Sequence, residues 1–398
     1  MTLKTPALPP SIWLLGIVSM LTDISSEMVH SLLPMFLITS MGASVLMVGL
    51  IEGLAEFTAM MLKIFSGALS DYWGRRKGLV LAGYALSAFT KPIFPLAMTV
   101  PVVLGARLID RLGKGVRDAP RDALIADMTP PSLRGAAFGL RQSLDTIGAF
   151  LGPIIAVLLM AVWAYDIRIV FWLACIPALM AVLLLFFVKE EAREPSAPLL
   201  NPLNFIHLRL LGHSYLWVVV LGGLLGLARF SDAFLVLRAF NSGISMTLVP
   251  LVMVVMNVVY AATAYPFGQL SDRVGHVKLL AFGIASLVVA NIIFAMGSHW
   301  IYVVVGVSFW GLHMGLTQGV MASWIASVTP AHLRGTGYGF YNLVLGFAML
   351  LASAIGGLLW DYLGAAYTFG ASAIIGLFCL LTLKLLSAGL QIRAVSPD

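Results

Sequence analysis

One feature limits the fold more than any other: the sequence repeats itself at about half its length. Thr129-Pro130-Pro131-Ser132-Leu133-Arg134-Gly135, with Gly139, returns 200 positions later as Thr329-Pro330-Ala331-His332-Leu333-Arg334-Gly335, with Gly339. Gly67-Ala68-Leu69-Ser70-Asp71-Tyr72-Trp73-Gly74 returns 201 positions later as Gly268-Gln269-Leu270-Ser271-Asp272-Arg273-Val274-Gly275. Two matches at nearly one offset make the chain a tandem of two related halves in parallel orientation. In a membrane protein such halves form a pseudo-two-fold pair around a substrate path.

The chain is that kind of protein. Of 398 residues, 60% are hydrophobic and 11% charged, against about a quarter charged in soluble domains. Its apolar runs approach the roughly 20 residues that a helix needs to cross a bilayer. We read an all-α membrane protein with twelve spans: 11–37, 44–69, 78–98, 101–126, 136–161, 167–188, 214–240, 247–271, 278–297, 300–327, 336–360 and 365–387. These group into a six-helix half over 1–188, a polar linker over 189–213 and a second six-helix half over 214–398. Phe205-Ile206-His207-Leu208-Arg209-Leu210-Leu211, at the end of the linker, suits a short amphipathic helix on the inner leaflet. The first apolar run is long enough to span, so no cleavable leader is expected. Cys175 and Cys379 fall within spans and read as small core residues.

The net charge of +6 follows topology. Arg75, Arg76, Lys77, Arg134, Lys189, Arg193, Arg209, Arg273, Lys278, Arg334 and Arg393 lie at alternate ends of the spans. Basic residues favour the cytoplasmic side, so both termini are expected there, most simply in a bacterial inner membrane. This placement speaks against a nucleic-acid surface.

Ionisable groups inside spans are costly and mark water-lined paths. Here they concentrate in the first half. Asp23, Glu27 and His30 follow one face of span one, Glu52 and Glu56 stand four apart in span two, and Lys91 lies in span three. Arg141 and Asp145 stand four apart in span five, close enough to pair. Span four carries Arg107, Asp110, Arg111, Lys114, Arg117, Asp118, Arg121 and Asp122. A stripe of this kind must face a cavity or other helices, and Asp23, Glu27, Glu52 and Glu56 are its expected acidic partners. At the 200-residue offset Asp110 becomes Trp310, Arg111 Gly311, Lys114 Met314, Arg121 Met321, Arg141 Tyr341 and Asp145 Leu345. Ionic chemistry therefore belongs to the first half. The second keeps Arg229, Asp232 and Arg238 in span seven, Asn257 in span eight, and His313 and Gln318 in span ten.

Gly67 to Lys77 resembles the loop motif of the major facilitator superfamily, Gly-x-x-x-Asp-Arg-x-Gly-Arg-Arg, with Tyr72 in place of the usual Arg. Arg107 to Ala119 resembles that family's span-four motif, through Arg111, Lys114 and Gly115. Gly139, Gly148, Gly152 and Pro153 resemble its span-five antiporter motif, with Ala156-Val157 where paired glycines usually close it. The resemblance covers the whole chain, and the motifs are most similar to those of bacterial proton-coupled drug and metabolite antiporters. It implies a twelve-helix transporter working by alternating access. Gly67, Asp71, Gly74, Arg75, Arg76, Asp272, Gly148, Gly152 and Pro153 would then be gating residues. Asp71 would meet a helix start of the other half, where negative charge is favoured. The span-five glycines would let that helix pack tightly against the other half.

Proton-coupling candidates are Asp23, Glu27, Glu52, Glu56 and Asp145, because a carboxylate that alternates between buried and open surroundings can take up and release a proton. Substrate-binding candidates are Arg107, Asp110, Arg111, Arg141, Arg229, Asp232, Trp310 and His313. The expected function is efflux of a small organic solute by proton antiport. Symport of an anionic or zwitterionic metabolite, and lipid or lysolipid flipping, are the alternatives. No nucleotide-binding loop occurs, and no metal motif or nucleophile–base arrangement. Neither cofactor nor enzymatic activity is expected, and the partners are solute, protons and the lipid bilayer around a monomer.

Overall fold

The computed structural model describes residues 8–73, 75–130, 133–163, 166–190, 211–330 and 333–395, without the side chains of 71, 271–273 and 386–395. The amphipathic segment expected over 205–211 lies almost wholly outside them. Twelve long helices run through the described residues, and no strand occurs among them. They are α1 (Pro10–His30), α2 (Val45–Trp73), α3 (Arg76–Thr90), α4 (Val100–Asp127), α5 (Arg134–Val162), α6 (Ile167–Leu185), α7 (Gly212–Ala228), α8 (Leu251–Val274), α9 (His276–Met296), α10 (Trp300–Val328), α11 (Arg334–Leu363) and α12 (Ala365–Val395). Counting their short continuations, eleven of the twelve spans are long and apolar enough to cross a membrane. The exception, α4, has the length, but its charges lower its apolar content.

Three spans are discontinuous, each for a local reason. Span one breaks after His30 and resumes as Leu33–Met35, where Pro34 sits in the new first turn, then as the π-helical turn Phe36–Ser40. Span three breaks at Lys91-Pro92 and continues as Ile93–Leu96; proline has no N–H to carry the ladder on. Span seven breaks at Arg229, whose backbone is extended, and resumes as Ala233–Asn241. The breaks in spans one and seven stand about 200 residues apart, as the sequence repeat requires.

The helices gather into two compact units, Met1–Ser31 with Thr58–Asn201, and Leu32–Phe57 with Pro202–Asp398. In the first, α1 packs on α5 and α6, and α3 packs on α4 and α6. Its core includes Ile12, Leu15, Val18, Val80, Tyr84, Leu124, Ile125 and Leu185. In the second, α10 packs on α8 and α9, α9 on α12, and α7 on α11 and α12. The start of α2 belongs to this second unit, although its sequence lies in the first repeat.

Candidate functional site

The densest polar site lies in the first unit and is built on α4. Asp110 faces three cations. Lys91 Nζ is 3.1 Å from its Oδ1, and Arg107 Nη1 and Arg111 Nε are 3.6 and 4.0 Å from its Oδ2. Lys91 is 1% exposed and the Asp110 side chain 5%. Lys91 also donates to Ser26 Oγ of α1 at 3.2 Å, so one ammonium ties the broken end of α3 to α1 and α4. The sequence alone places Lys91 within span three and assigns it no site role. The break at Pro92, which ends α3 at this cation, was the signal.

One turn on, α3 and α4 approach through glycine. A Cβ at Gly113 would come within 2.6 Å of Gly83 O. Arg117 lies over the Tyr84 ring at 4.5 Å and donates to Ser87 Oγ at 2.7 Å. Arg121 donates to Ser19 Oγ of α1 at 3.2 Å and to Tyr84 OH at 3.4 Å, and pairs with Asp122 at 3.2 Å. The buried side of α4 thus carries Asp110, Arg117 and Arg121, while Lys114 and Asp118 are half-buried.

The α1–α5 contact supplies the acidic part. Arg141 and Asp145 pair within α5, and Arg141 Nε lies 3.8 Å from Asp122. Asp23, half-buried on α1, feels the charges of Asp145, Lys114, Arg117 and Arg121. Glu27 stands 3.7 Å from His30 Nδ1 at the end of α1, with Arg111 and Lys114 among the charges acting on it. Gly148 and Gly152 sit opposite these two carboxylates. A Cβ at Gly148 would come 2.6 Å from Met20 O and 2.9 Å from Asp23 Cβ; one at Gly152 would come 2.6 Å from Glu27 Cβ. The family resemblance implies that these glycines let α5 pack tightly against the other half. In the structure they receive α1 of their own unit, on the face of α5 that carries Asp145. Pro153 lies buried in the same helix.

A smaller site occupies the second unit, at the break in span seven. Asp232 Oδ1 accepts from Trp310 Nε1 at 3.0 Å and lies 3.9 Å from Arg229 Nη2. The Phe230 and Trp310 ring centroids are 5.6 Å apart. His313, 1% exposed, donates from Nδ1 to Gly283 O at 2.9 Å, which makes it an α9–α10 tie. Glu52 is buried and Glu56 half-buried, and both belong to the second unit. An apolar cavity of ≈ 440 Å³ in this unit is lined by Leu248, Leu251, Val252, Trp300, Val304 and Val307, with none of the sequence-selected site residues among its lining.

Of the loop-motif residues, Asp71, Gly74 and Asp272 lie outside the described side chains, and Gly67 lies on α2. Arg76 Nε pairs with Asp127 Oδ2 at 2.8 Å. Glu190 accepts from the backbone N–H groups of Arg76 at 2.6 Å and Lys77 at 3.2 Å, at the start of α3. Lys77 Nζ donates to Phe186 O and Val188 O at the end of α6. Arg75 precedes α3 as its N-cap residue. No group of three or more His, Cys, Asp or Glu suited to a metal ion occurs among the described residues.

The family model described as Major Facilitator Superfamily matches residues 15–242 and 233–391. An MFS-type transporter of Methanocaldococcus jannaschii is 31% identical over 360 residues, covering 89% of each chain. A multidrug resistance protein MdtH of Klebsiella pneumoniae is 27% identical over 365 residues, covering 86% of this chain and 85% of that one. Among solved structures, a nucleoside transporter NupG mutant superposes with a TM-score of 0.81 at 12% identity, over 94% of this chain and 99% of that one.

Proposed function

The chain belongs to the major facilitator superfamily, and from that premise we propose that it exports a small organic solute in exchange for protons, by alternating access of the halves 1–188 and 214–398. It is an integral membrane transporter and not an enzyme. The observation that carries the finer reading is the meeting of the α5 glycines with the carboxylates of α1: Gly148 lies against Asp23 and Gly152 against Glu27. Any sliding or rocking of α5 on α1 changes the surroundings of both carboxylates and of Asp145. That links a packing change to proton uptake and release. Glu52 and Glu56 are the further proton candidates. Arg229 and Asp232, at a discontinuous helix, together with Trp310 of α10, supply the solute contacts of the second half, since helix breaks at membrane depth serve binding. The relative named as a multidrug resistance protein supports efflux. The working unit we propose is a monomer in a bacterial inner membrane, with both termini cytoplasmic.

A second reading has its own observation. Lys91, Arg107 and Arg111 surround Asp110, an arrangement suited to a carboxylate- or phosphate-bearing solute that competes with Asp110 for the cations. This reading is symport of an anionic or zwitterionic metabolite. Purified protein in proteoliposomes, loaded with candidate drug-like cations or organic acids, separates the two. Antiport predicts that an inward-directed proton gradient drives solute out and that a protonophore abolishes the gradient of solute. Symport predicts inward accumulation under the same gradient. Accumulation that survives the protonophore, or that needs sodium, overturns both.

A further inference from the structure

α2 and α11 are clasped at the ends remote from the basic Arg75–Lys77 loop, and the clasp is built from residues of both sequence repeats within the second unit. Asp361, in the last turn of α11, accepts from two backbone N–H groups at the start of α2: Val45 N to Oδ1 at 3.0 Å and Leu46 N to Oδ2 at 2.9 Å. A helix start carries unsatisfied N–H groups and partial positive charge, so a carboxylate binds there as a charge-assisted pair. The backbones close beneath it. Gly49 and Gly53 of α2 stand four apart, the small-residue spacing that lets helices touch. A Cβ at Gly53 would come 3.1 Å from Leu350 Cα, and one at Gly357 would come 2.5 Å from Leu46 Cα. Deeper still, the Phe57 and Phe347 rings meet edge-on at 6.4 Å. At the 200-residue offset, Asp361 corresponds to Ala161 and Gly357 to Val157, so the first repeat carries neither the carboxylate nor the glycine at the matching positions of α5.

We propose that Asp361 is the latch of the solute gate at this end of the transporter: its two hydrogen bonds hold α2 to α11 while the gate is shut, and they break whenever it opens. The latch rests on the alternating-access reading. It follows from chain connectivity and contact together. The start of α2 belongs by sequence to one repeat and packs with the helices of the other. Relative motion of the repeats at this end must therefore part these two helices, and the Asp361 hydrogen bonds are polar contacts that have to break. The glycines supply a close-fitting seam, whereas the carboxylate supplies a specific bond that stores a preference for the shut state.

The test uses full-length protein in nanodiscs of phosphatidylethanolamine and phosphatidylglycerol, with Cys175 and Cys379 replaced by alanine and spin labels at Met41→Cys and Tyr362→Cys. Distances are measured by double electron–electron resonance. The unlatched variant Asp361→Ala should raise the ratio of separated to joined helices about tenfold, the size expected for losing charge-assisted bonds. Asp361→Asn, which keeps an acceptor, should fall between. Gly49→Leu should also favour separation, by blocking the seam. Asp361 also caps α2, and a cap alone would stabilise without latching. The control is therefore Ser44→Asp in the Asp361→Ala background, which puts a carboxylate on α2 itself at the cap where Ser44 Oγ already accepts from Met47 N at 3.2 Å. Melting temperature should recover in that double variant while the helices remain apart. The latch is overturned if Asp361→Ala melts earlier with an unchanged distance distribution, or if Ser44→Asp restores the joined state. If the protein with Asp361 intact and Gly49→Leu alike show a single distance from pH 5 to pH 8, alternating access itself fails, a result distinct from the other two.

Discussion

Replacing Asp110 by asparagine should harm the protein far more than replacing its closest partner, Lys91, by methionine. The geometry explains the asymmetry. Lys91 Nζ approaches Asp110 to 3.1 Å, and Arg107 and Arg111 stand at 3.6 and 4.0 Å from the same carboxylate. At an effective dielectric constant of about 20, a charge pair at that closest distance attracts by roughly 5 kcal/mol, and most of this offsets the cost of taking both groups out of water. Asp110→Asn keeps the shape and one acceptor but leaves three cations facing a neutral amide. Breaking a buried pair from that side costs about 3–5 kcal/mol, and the retained amide oxygen places the loss near the lower end. In Lys91→Met the carboxylate keeps two guanidinium neighbours, so the loss is nearer about 1 kcal/mol, the scale of one net hydrogen bond.

Thermal melts of purified protein in detergent check this. At about 2 °C per kcal/mol for a large chain, Asp110→Asn should melt roughly 6 °C below the starting protein and Lys91→Met roughly 2 °C below it. The double variant should melt above Asp110→Asn alone, because it removes a cation that the first change stranded. A double-mutant cycle isolates that coupling. Equal losses from the two single changes, or simple additivity in the double, would refute the picture of one carboxylate holding several cations.

Two further outcomes follow from close contacts in the first unit. Gly152→Leu forces a side chain into the space of Glu27 Cβ, 2.6 Å from the new Cβ; the overpacking should cost about 1–3 kcal/mol and lower solute turnover in proteoliposomes tenfold or more, with Gly152→Ala milder. Unchanged turnover in Gly152→Leu would show that the α1–α5 seam takes no part in the cycle. Glu190→Ala and Lys77→Met each remove one arm of the reciprocal cap between α3 and α6; each should lower stability by about 1 kcal/mol at unchanged solute affinity, measured by melting and by binding on the same preparation.

The helices and their order were legible in the sequence because apolar length alone selects them. The limits of α4 were legible for the opposite reason: its charges are too many to face lipid. Pairing was less accessible. Arg141 with Asp145 follows from helical spacing, but Lys91 with Asp110 does not, since it depends on how far α3 runs before Pro92 ends it. Asp361 was missed because a carboxylate near a span end reads as ordinary interfacial polarity. Only the meeting of α2 and α11 gives it a partner. The one local hint was Gly49-x-x-x-Gly53, a close-contact spacing in a span otherwise chosen for its glutamates.

Comparison of the two repeats shows which parts are scaffold. Where the motifs match, the bonds match: Thr129 Oγ1 donates to Ile125 O and Thr329 Oγ1 to Ile325 O, both at 2.7 Å, and Leu133 N and Leu333 N each reach a proline carbonyl at 2.9 Å. Where the residues differ, the seam is kept by other chemistry. Gly113 lets α4 approach Gly83 O, whereas in the second repeat His313 donates to the equivalent Gly283 O. Lys91 and Asp110 correspond to Asn291 and Trp310; Asn291 bonds only its own helix, to Leu287 O, among the hydrogen bonds described for it, and Trp310 turns to Asp232. One fold thus forms at this seam with a buried ion cluster or without it. A fold requirement would act on both repeats, so the cost of burying Lys91, Arg107, Asp110 and Arg111 is better explained by the work of the first repeat. His313, by the same comparison, belongs with the packing of α9 on α10. The pair worth mutating for solute recognition in the second repeat is therefore Asp232 with Trp310, which join a helix break to the helix that carries the ion cluster in the first.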